Sequence, residues 1–293
     1  MNFSDGHWKG PILDNHFHLD KSGRYLDAAL DFKRAGGTDL VLVHKPDFNN
    51  LPLNKDQIRS SYEGTIQIAN SVRIEHELNV RVVLGPHPAA WFHQSAELGH
   101  EMAGELHLSS VEMAIEFCDE QLAVGVGEVG RPHWDVGDEV MQNADELLIE
   151  ILGMCKVANV PVQLHLDANG EKTNREISRI CDIVGFPRFG AIHHHADGNV
   201  SKQFTHGLTS SVIMGKNSIN EISKSIWNNE GGFLLETDYM DDPLRPGAVL
   251  GPKTVPKRTQ QLASSLIGMG IDVESAISAI HIDLPNALYG EYE

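Results

Sequence analysis

Nowhere in the 293 residues do apolar side chains run uninterrupted for the roughly 18 positions that mark a membrane-spanning helix, so a membrane span is not expected. Cysteine is scarce. Cys118, Cys155 and Cys181 are odd in number, widely spaced and each set in a helix-like apolar pattern, which excludes a disulfide framework or a cysteine metal cluster and reads as small reduced core residues. Cationic residues are few: 23 Lys and Arg stand against 41 Asp and Glu, a formal charge of −18. That charge repels polyanions at long range and argues against an extended nucleic-acid track, which needs clustered Lys and Arg. A local metal-lined site survives the argument, because bound divalent cations dominate the field around them. The segment from Met1 to Gly6 has no basic region leading into an apolar run, so no secretory signal is visible and the cytosol is expected. Low-complexity tracts and internal repeats are absent too, while the apolar share of 41% and charged share of 22% are those of an ordinary globular chain.

What the chain has in abundance is histidine, 16 in all. The most telling pair lies in Ile12-Leu13-Asp14-Asn15-His16-Phe17-His18-Leu19-Asp20. In a strand, alternate side chains share a face, so His16 and His18 can reach one point. Alone, an H-x-H pair is more often two surface histidines than a site. The rest of the chain decides between these readings.

Strand-like and helix-like runs alternate from end to end. Strands are expected at Pro11–His16, Asp39–His44, Arg81–Gly85, Leu122–Glu128, Val160–His165, Phe189–His194, Leu208–Ile213 and Gly232–Asp238; several are near-continuous apolar runs, the mark of buried parallel strands. Helices are expected at Arg24–Ala35, Asp56–Leu78, Glu139–Ala158, Lys172–Val184 and near Ser218–Asn229, with Ser109 and Ser110 capping one that runs to Glu120. A Pro- and Gly-rich loop, Asp241–Pro256, precedes terminal helices. Eight such units with no linker predict an α/β fold, a (β/α)8 TIM-type barrel forming a single domain over residues 1–293.

In a closed parallel barrel the carboxyl ends of the strands converge on one mouth. Glu128, His165, His194 and Asp238 each end an expected strand, as His16 and His18 do. Mixed imidazole and carboxylate ligands suit Zn²⁺, Mn²⁺ or Fe²⁺ better than Mg²⁺ or Ca²⁺. Four histidines, a glutamate and an aspartate exceed one tetrahedral site, so two ions bridged by Glu128 are the natural assembly.

These residues resemble the TatD-related metal-dependent hydrolases of the amidohydrolase superfamily. The likeness rests on Asp14-Asn15-His16-Phe17-His18-Leu19-Asp20, Leu84-Gly85-Pro86-His87-Pro88, Val126-Gly127-Glu128-Val129-Gly130, Gln163-Leu164-His165, Ala191-Ile192-His193-His194, Leu235-Glu236-Thr237-Asp238 and Asn286-Ala287-Leu288-Tyr289-Gly290, in the family's order and across almost the whole chain. It implies a TIM-type barrel, a divalent-metal centre and hydrolysis, with deoxyribonuclease activity on DNA ends in the best-known branch. Carried over, His16 and His18 bind one ion with Glu128 and Asp238, and Glu128 bridges to a second ion held by His165 and His194, with His193 the alternative to His194. Asp238 would orient the metal-activated water and take its proton. Where the DNase branch shows Gly-Leu-Asp after the glutamate, this chain reads Gly130-Arg131-Pro132-His133-Trp134, a variant associated with archaeal-type relatives. Arg131, His133 and His87 are candidate substrate-phosphate contacts; Arg131 is equally readable as a structural ion pair and His87 as a packed loop residue. His44 is either a support to the site or exposed, and His93, His100 and His107 read as solvated.

The first expectation is therefore a two-metal phosphodiesterase acting on a nucleic-acid end or a nucleotide, without an extended nucleic-acid track or a membrane partner. The alternatives are an amidohydrolase or lactonase using the same ions on a small molecule, and a catalytically silent metal-binding or interaction protein. Zinc is the favoured metal, with Mn, Fe or Mg as alternatives; the oligomeric state has no signature in the sequence.

Overall fold

A computed structural model describes residues 2–229, 232–245, 247 and 249–292, so Met1 and, within the expected 241–256 loop, Pro246 and Ala248 lie outside the described residues. A short antiparallel hairpin, β1 (Phe3–Ser4) with β2 (His7–Trp8), opens the chain. Eight strands then follow in parallel, each paired with the next: β3 (Leu13–His18), β4 (Asp39–Val43), β5 (Asn79–Leu84), β6 (Gly125–Gly130), β7 (Val162–His165), β8 (Ala191–Ala196), β9 (Thr209–Ile213) and β10 (Phe233–Glu236). β11 (Tyr239–Met240) resumes the line of chain two residues after β10 and pairs in parallel with β3, Tyr239 opposite Phe17 and Met240 opposite His18. The ring is thereby closed, and the expected TIM-type barrel is what the chain forms.

The helices are α1 (Leu26–Arg34), α2 (Lys55–His76), α3 (Pro88–Leu98), α4 (His100–Asp119), α5 (Asp138–Ala158), α6 (Glu171–Val184), α7 (Lys202–Thr205), α8 (Ser218–Ser225), α9 (Thr254–Gly268), α10 (Val273–Ser278) and α11 (Leu284–Tyr289). Among the described residues none is long and apolar enough to cross a membrane. The strands carry apolar side chains on both faces because both are covered. Inside the ring, Leu13, Val41, Val43, Val83, Ile192 and Leu234 pack with Leu284, Leu288 and Tyr289 of α11. Outside it, Phe17 and Leu19 join Phe32, Leu42 and Tyr239 against the helices. Arg81 ties the end of the chain down, donating to Asn286 Oδ1 at 2.8 Å and the Gly290 carbonyl at 2.7 Å while its guanidinium lies 3.8 Å over the Tyr292 ring. Cys155 and Cys181 are buried, Cys118 half-buried, and all three are free thiols, as expected.

Four departures have physical causes. β3, β6 and β8 each run two residues beyond the apolar pattern, because their ladders continue through His18, Gly130 and Ala196, residues whose polarity or small size hides a strand. Ser109 and Ser110 do not cap a helix. They lie inside α4, which starts at His100 directly after Gly99, and the Ser110 hydroxyl bonds back to the Leu106 carbonyl at 2.8 Å, the usual resting place of a serine within a helix. The His-rich stretch before it is also helical, as α3, and His107 is buried rather than solvated.

Three of the strand pairings shift register: between Asp14 and Phe17, between Val126 and Val129, and between His193 and Ala196. An extra residue on one side of a ladder bends the strand and re-aims its side chains. The interrupted spans contain His16, Glu128 and His194.

His281 shows how the barrel is bolted shut. It is buried in a π-helical turn, 279–283, where its Nδ1 accepts the Leu13 N–H at 3.0 Å, so the ring hydrogen sits on Nε2 and faces Thr259 Oγ1 at 3.0 Å. Burial lowers its pKa from 6.5 to about 3. The unfolded chain therefore takes up a proton first as pH falls, and stability that is complete above pH 6.5 drains away towards pH 3. His281→Asn, compared with wild type by urea unfolding at about pH 7 and about pH 5, should be less stable at the higher pH but lose less on acidification. Equal losses in the two proteins would clear His281 of the acid sensitivity.

Candidate metal centre

β3 presents His16 and His18 to the barrel interior and Phe17 to the helix layer, the alternation of a strand. Their Nε2 atoms stand 3.0 Å apart in full burial. The far side of each ring fixes which nitrogen carries hydrogen. The Gln163 amide nitrogen donates to the Asn15 carbonyl at 3.0 Å, so its oxygen faces His16 Nδ1 at 2.7 Å and that nitrogen must be N–H. His18 Nδ1 meets the Val43 carbonyl at 3.0 Å and must donate as well. With both rings neutral, two bare Nε2 lone pairs would confront each other in a dry pocket, an arrangement that calls for a cation between them. Tyr289 braces the support from α11, accepting from Gln163 Nε2 at 3.0 Å and donating to Asn15 Oδ1 at 2.9 Å.

Glu128 faces these rings from β6. Its Oε1 is 3.4 Å from His18 Nε2 and 3.7 Å from His16 Nε2, while its Oε2 is 2.7 Å from His165 Nδ1, 3.4 Å from His194 Nε2 and 3.7 Å from His87 Nε2. One carboxylate oxygen thus serves each pair of histidines. Gly127 makes room for it, since a Cβ there would fall 2.7 Å from Gln163 Cβ. Asp238 breaks the last strand with φ of +49, a left-handed conformation that aspartate tolerates better than most residues. Its Oδ1 is 3.8 Å from His18 Nε2, and its Oδ2 is 3.1 Å from His195 Nδ1.

Burial opposes charge on every one of these groups, yet mutual attraction wins for several. His16 is raised to about 9 because Glu128, Glu236 and Asp238 outweigh desolvation. Glu128 is held well below the ordinary glutamate value by His87, His194, His16 and His165, and Asp238 is lowered by His195, His194, His16 and His18. Converging carboxylates at the mouth ask for positive charge, which the bare protein meets with a proton. A divalent cation meets the same demand, and the donors suit one: His16, His18 and Glu128 lie within ligand reach of one another, as do His16, His194 and Asp238, and also His87, Glu128 and His165.

All six sequence-predicted ligands, His16, His18, Glu128, His165, His194 and Asp238, therefore meet at one end of the barrel. His193 does not; its Nδ1 turns away to Asn174 Oδ1 at 2.7 Å. His87 reaches the site and His133 reaches His165, with ring nitrogens 2.5 Å apart. Arg131 is a correction. It is buried and bidentate to Asp145, at 2.6 and 2.8 Å, with Glu176 at 2.9 Å and Asp167 at 3.4 Å, so its guanidinium is consumed within the fold instead of facing substrate. His44 is buried too, held by Thr65 Oγ1 at 2.8 Å. Two residues given no role of their own in the sequence reading complete the site. Gln163 sits two places before His165 on the same strand face, a spacing that could have found it. Glu236, two before Asp238, is fully buried, accepts the His195 N–H at 2.7 Å and places Oε1 3.0 Å from His194 Nδ1.

The mouth opens into a cleft of about 830 Å³ bordered by Phe48, His93 and Met240, where the cations Lys45 and Arg245 are already paired with Asp20 at 2.7 Å and Asp242 at 2.9 Å.

A sequence profile for the family described as TatD related DNase matches residues 13–284. The chain belongs to that family. As a TatD-family protein it is a metal-dependent hydrolase, and its buried His, Glu and Asp clusters could hold the metal. It is 27% identical over 282 residues, 95% of each chain, to an uncharacterized protein of Methanocaldococcus jannaschii. Among solved structures it is similar in fold to the TatD homologue YJJV of Escherichia coli K12, with a TM-score of 0.64, 19% identity and 96% and 98% of the two chains covered. It is also similar to a TatD-like protein of Archaeoglobus fulgidus, with a TM-score of 0.55, 15% identity and 94% and 99% covered.

Arg131→Met should cost roughly 1–3 kcal/mol in urea unfolding, because its carboxylate partners lose a shared cation, while KM for whichever substrate the protein hydrolyses stays unchanged. A raised KM with undiminished stability would return Arg131 to the substrate.

Proposed function

We propose that this TatD-family protein hydrolyses phosphodiester bonds in a compact substrate, a nucleotide or the end of a DNA strand, at a two-ion centre. The observation that carries the reading is the position of Glu128, one oxygen towards His16 and His18 and the other towards His165 and His194. His16, His18, Glu128 and Asp238 would hold one ion; Glu128, His165 and His194 would hold the other. When bound, such a pair polarises the scissile oxygen and brings the pKa of water towards neutrality.

The protein's own residues would do the rest. Asp238, steadied by His195 at 3.1 Å, would take a proton from the attacking water and return it to the leaving oxygen. His87 caps α3: its Nδ1 accepts the Ala89 N–H at 3.0 Å, so its ring hydrogen lies on Nε2 and points at the centre. Burial and the neighbouring histidines lower it to about 3, against the pull of Glu128, which leaves a neutral donor for a substrate oxygen. A second reading, hydrolysis of a C–N or C–O bond in a small molecule, is favoured by the pairing of Lys45 and Arg245, which reduces the cleft's appeal to a phosphate-rich ligand.

Turnover of bis-p-nitrophenyl phosphate after loading with Mn²⁺ or Zn²⁺, beside lactone and dipeptide panels, separates these readings. Wild type should cleave the phosphodiester, and Asp238→Ala should lose at least about 100-fold in kcat, the scale of a missing general base. Turnover of only the lactones or dipeptides would establish the second reading, turnover of nothing a silent metal-binding protein, and a fully active Asp238→Ala would overturn the assignment of Asp238.

A further inference from the structure

Each of the four candidate ligand histidines around Glu128 turns its other ring nitrogen to a partner. For three of them the partner is an oxygen: Gln163 Oε1 for His16 at 2.7 Å, the Val43 carbonyl for His18 at 3.0 Å and Glu236 Oε1 for His194 at 3.0 Å. The fourth differs. His165 aims Nδ1 at Glu128 Oε2, 2.7 Å away, and its Nε2 meets the Nδ1 of a second imidazole, His133, at 2.5 Å. Two nitrogens at that separation require a hydrogen between them, since paired lone pairs or paired N–H groups would repel. A shared ion is the poorer explanation, because two nitrogens each about 2.0–2.1 Å from zinc stand roughly 3 Å apart or more.

We infer that His133 is a positioning residue for His165: with the second ion in place its Nδ1 would accept the His165 Nε2–H, so that His165 Nδ1, which faces Glu128 Oε2 at 2.7 Å, is free to bind that ion. The inference rests on the two-ion reading above and takes His133 out of the set of substrate contacts. It also gives the Gly130-Arg131-Pro132-His133-Trp134 segment a common purpose. Arg131 donates its backbone N–H to the His165 carbonyl at 2.8 Å, so the segment is stitched to the residue it serves. The Arg131 side chain anchors the same turn through Asp145 and Glu176, and the His133 ring stands edge-on to Trp134, centroids 5.2 Å apart, with Trp134 in turn against Phe92 at 5.4 Å. His133 is thus held over His165 from both sides even though its own ring is open to solvent.

Partners of this kind fix the tautomer of a ligating histidine, and losing one typically weakens metal affinity 10–100-fold. Metal-stripped wild type, His133→Ala and His133→Asn would be titrated with Zn²⁺ or Co²⁺ alone by calorimetry. Asparagine is the informative replacement, because its Oδ1 occupies the place of histidine Nδ1 and can only accept from His165. Wild type should take two equivalents; His133→Ala should keep the first and bind the second about 10–100-fold more weakly; His133→Asn should recover most of the loss. KM for bis-p-nitrophenyl phosphate at saturating metal should be unchanged in both variants. A His133→Ala protein that binds both equivalents like wild type, with a raised KM, would overturn the inference and make His133 a substrate contact. A wild type that takes up one equivalent would overturn the two-ion reading and this inference with it. Should the alanine variant fail to fold, His133→Leu against His133→Asn, similar in size and differing in the acceptor, makes the same comparison.

Discussion

Glu128 is an ionised carboxylate with only 4% of its surface exposed, and a charge so placed is tolerated only among partners of opposite sign. Much of the architecture at the barrel mouth answers that requirement. Histidines from three strands and the turn after β5 converge on its two oxygens, and the four strand-borne histidines are in turn backed by oxygens or by another ring. Removing the central carboxylate would leave the remaining carboxylates, Asp238 and Glu236, without the arrangement that orders the imidazoles between them. The hydrolytic chemistry of the family would follow from the same requirement, since a metal ion that satisfied the buried charge would also be in place to activate water.

The barrel was legible because many of its strands are apolar on both faces and because their period alternates cleanly with helical spacing; Asp39–Val43 is an example. The ligand set was legible for a different reason: strand topology forces the carboxyl ends together, so a polar residue that closes an apolar run is a candidate for the mouth. The same polarity concealed where the strands stop. His18, Gly130 and Ala196 look like loop and belong to the ladder. The choice between His193 and His194 could not follow from alternation alone, because the register shift in β8 occurs between them and Ala196 and depends on pairing with β9.

Arg131 and His133 illustrate a further limit. A basic residue beside a predicted site suggests an anion to bind, and nothing local reveals that Asp145, Asp167 and Glu176, three acids spread over two helical units, have already claimed it. Gln163 and Glu236 were hidden for the opposite reason: they sit inside strands, within segments whose ligands drew the attention, and each matters through the oxygen it places behind a histidine, Gln163 Oε1 behind His16 and Glu236 Oε1 behind His194.

The hydroxyl of Tyr289 touches Asn15 across 274 positions of sequence and, through Gln163, sets the orientation of His16. Every candidate ligand lies before residue 239, yet the ring that anchors the first of them is aligned by a helix laid down fifty residues later. Loosening of that one short helix from the barrel floor, by cleavage or by local melting, would preserve the full complement of donors while letting His16 rotate, so metal affinity here doubles as a gauge of whether the two extremities of the barrel remain joined.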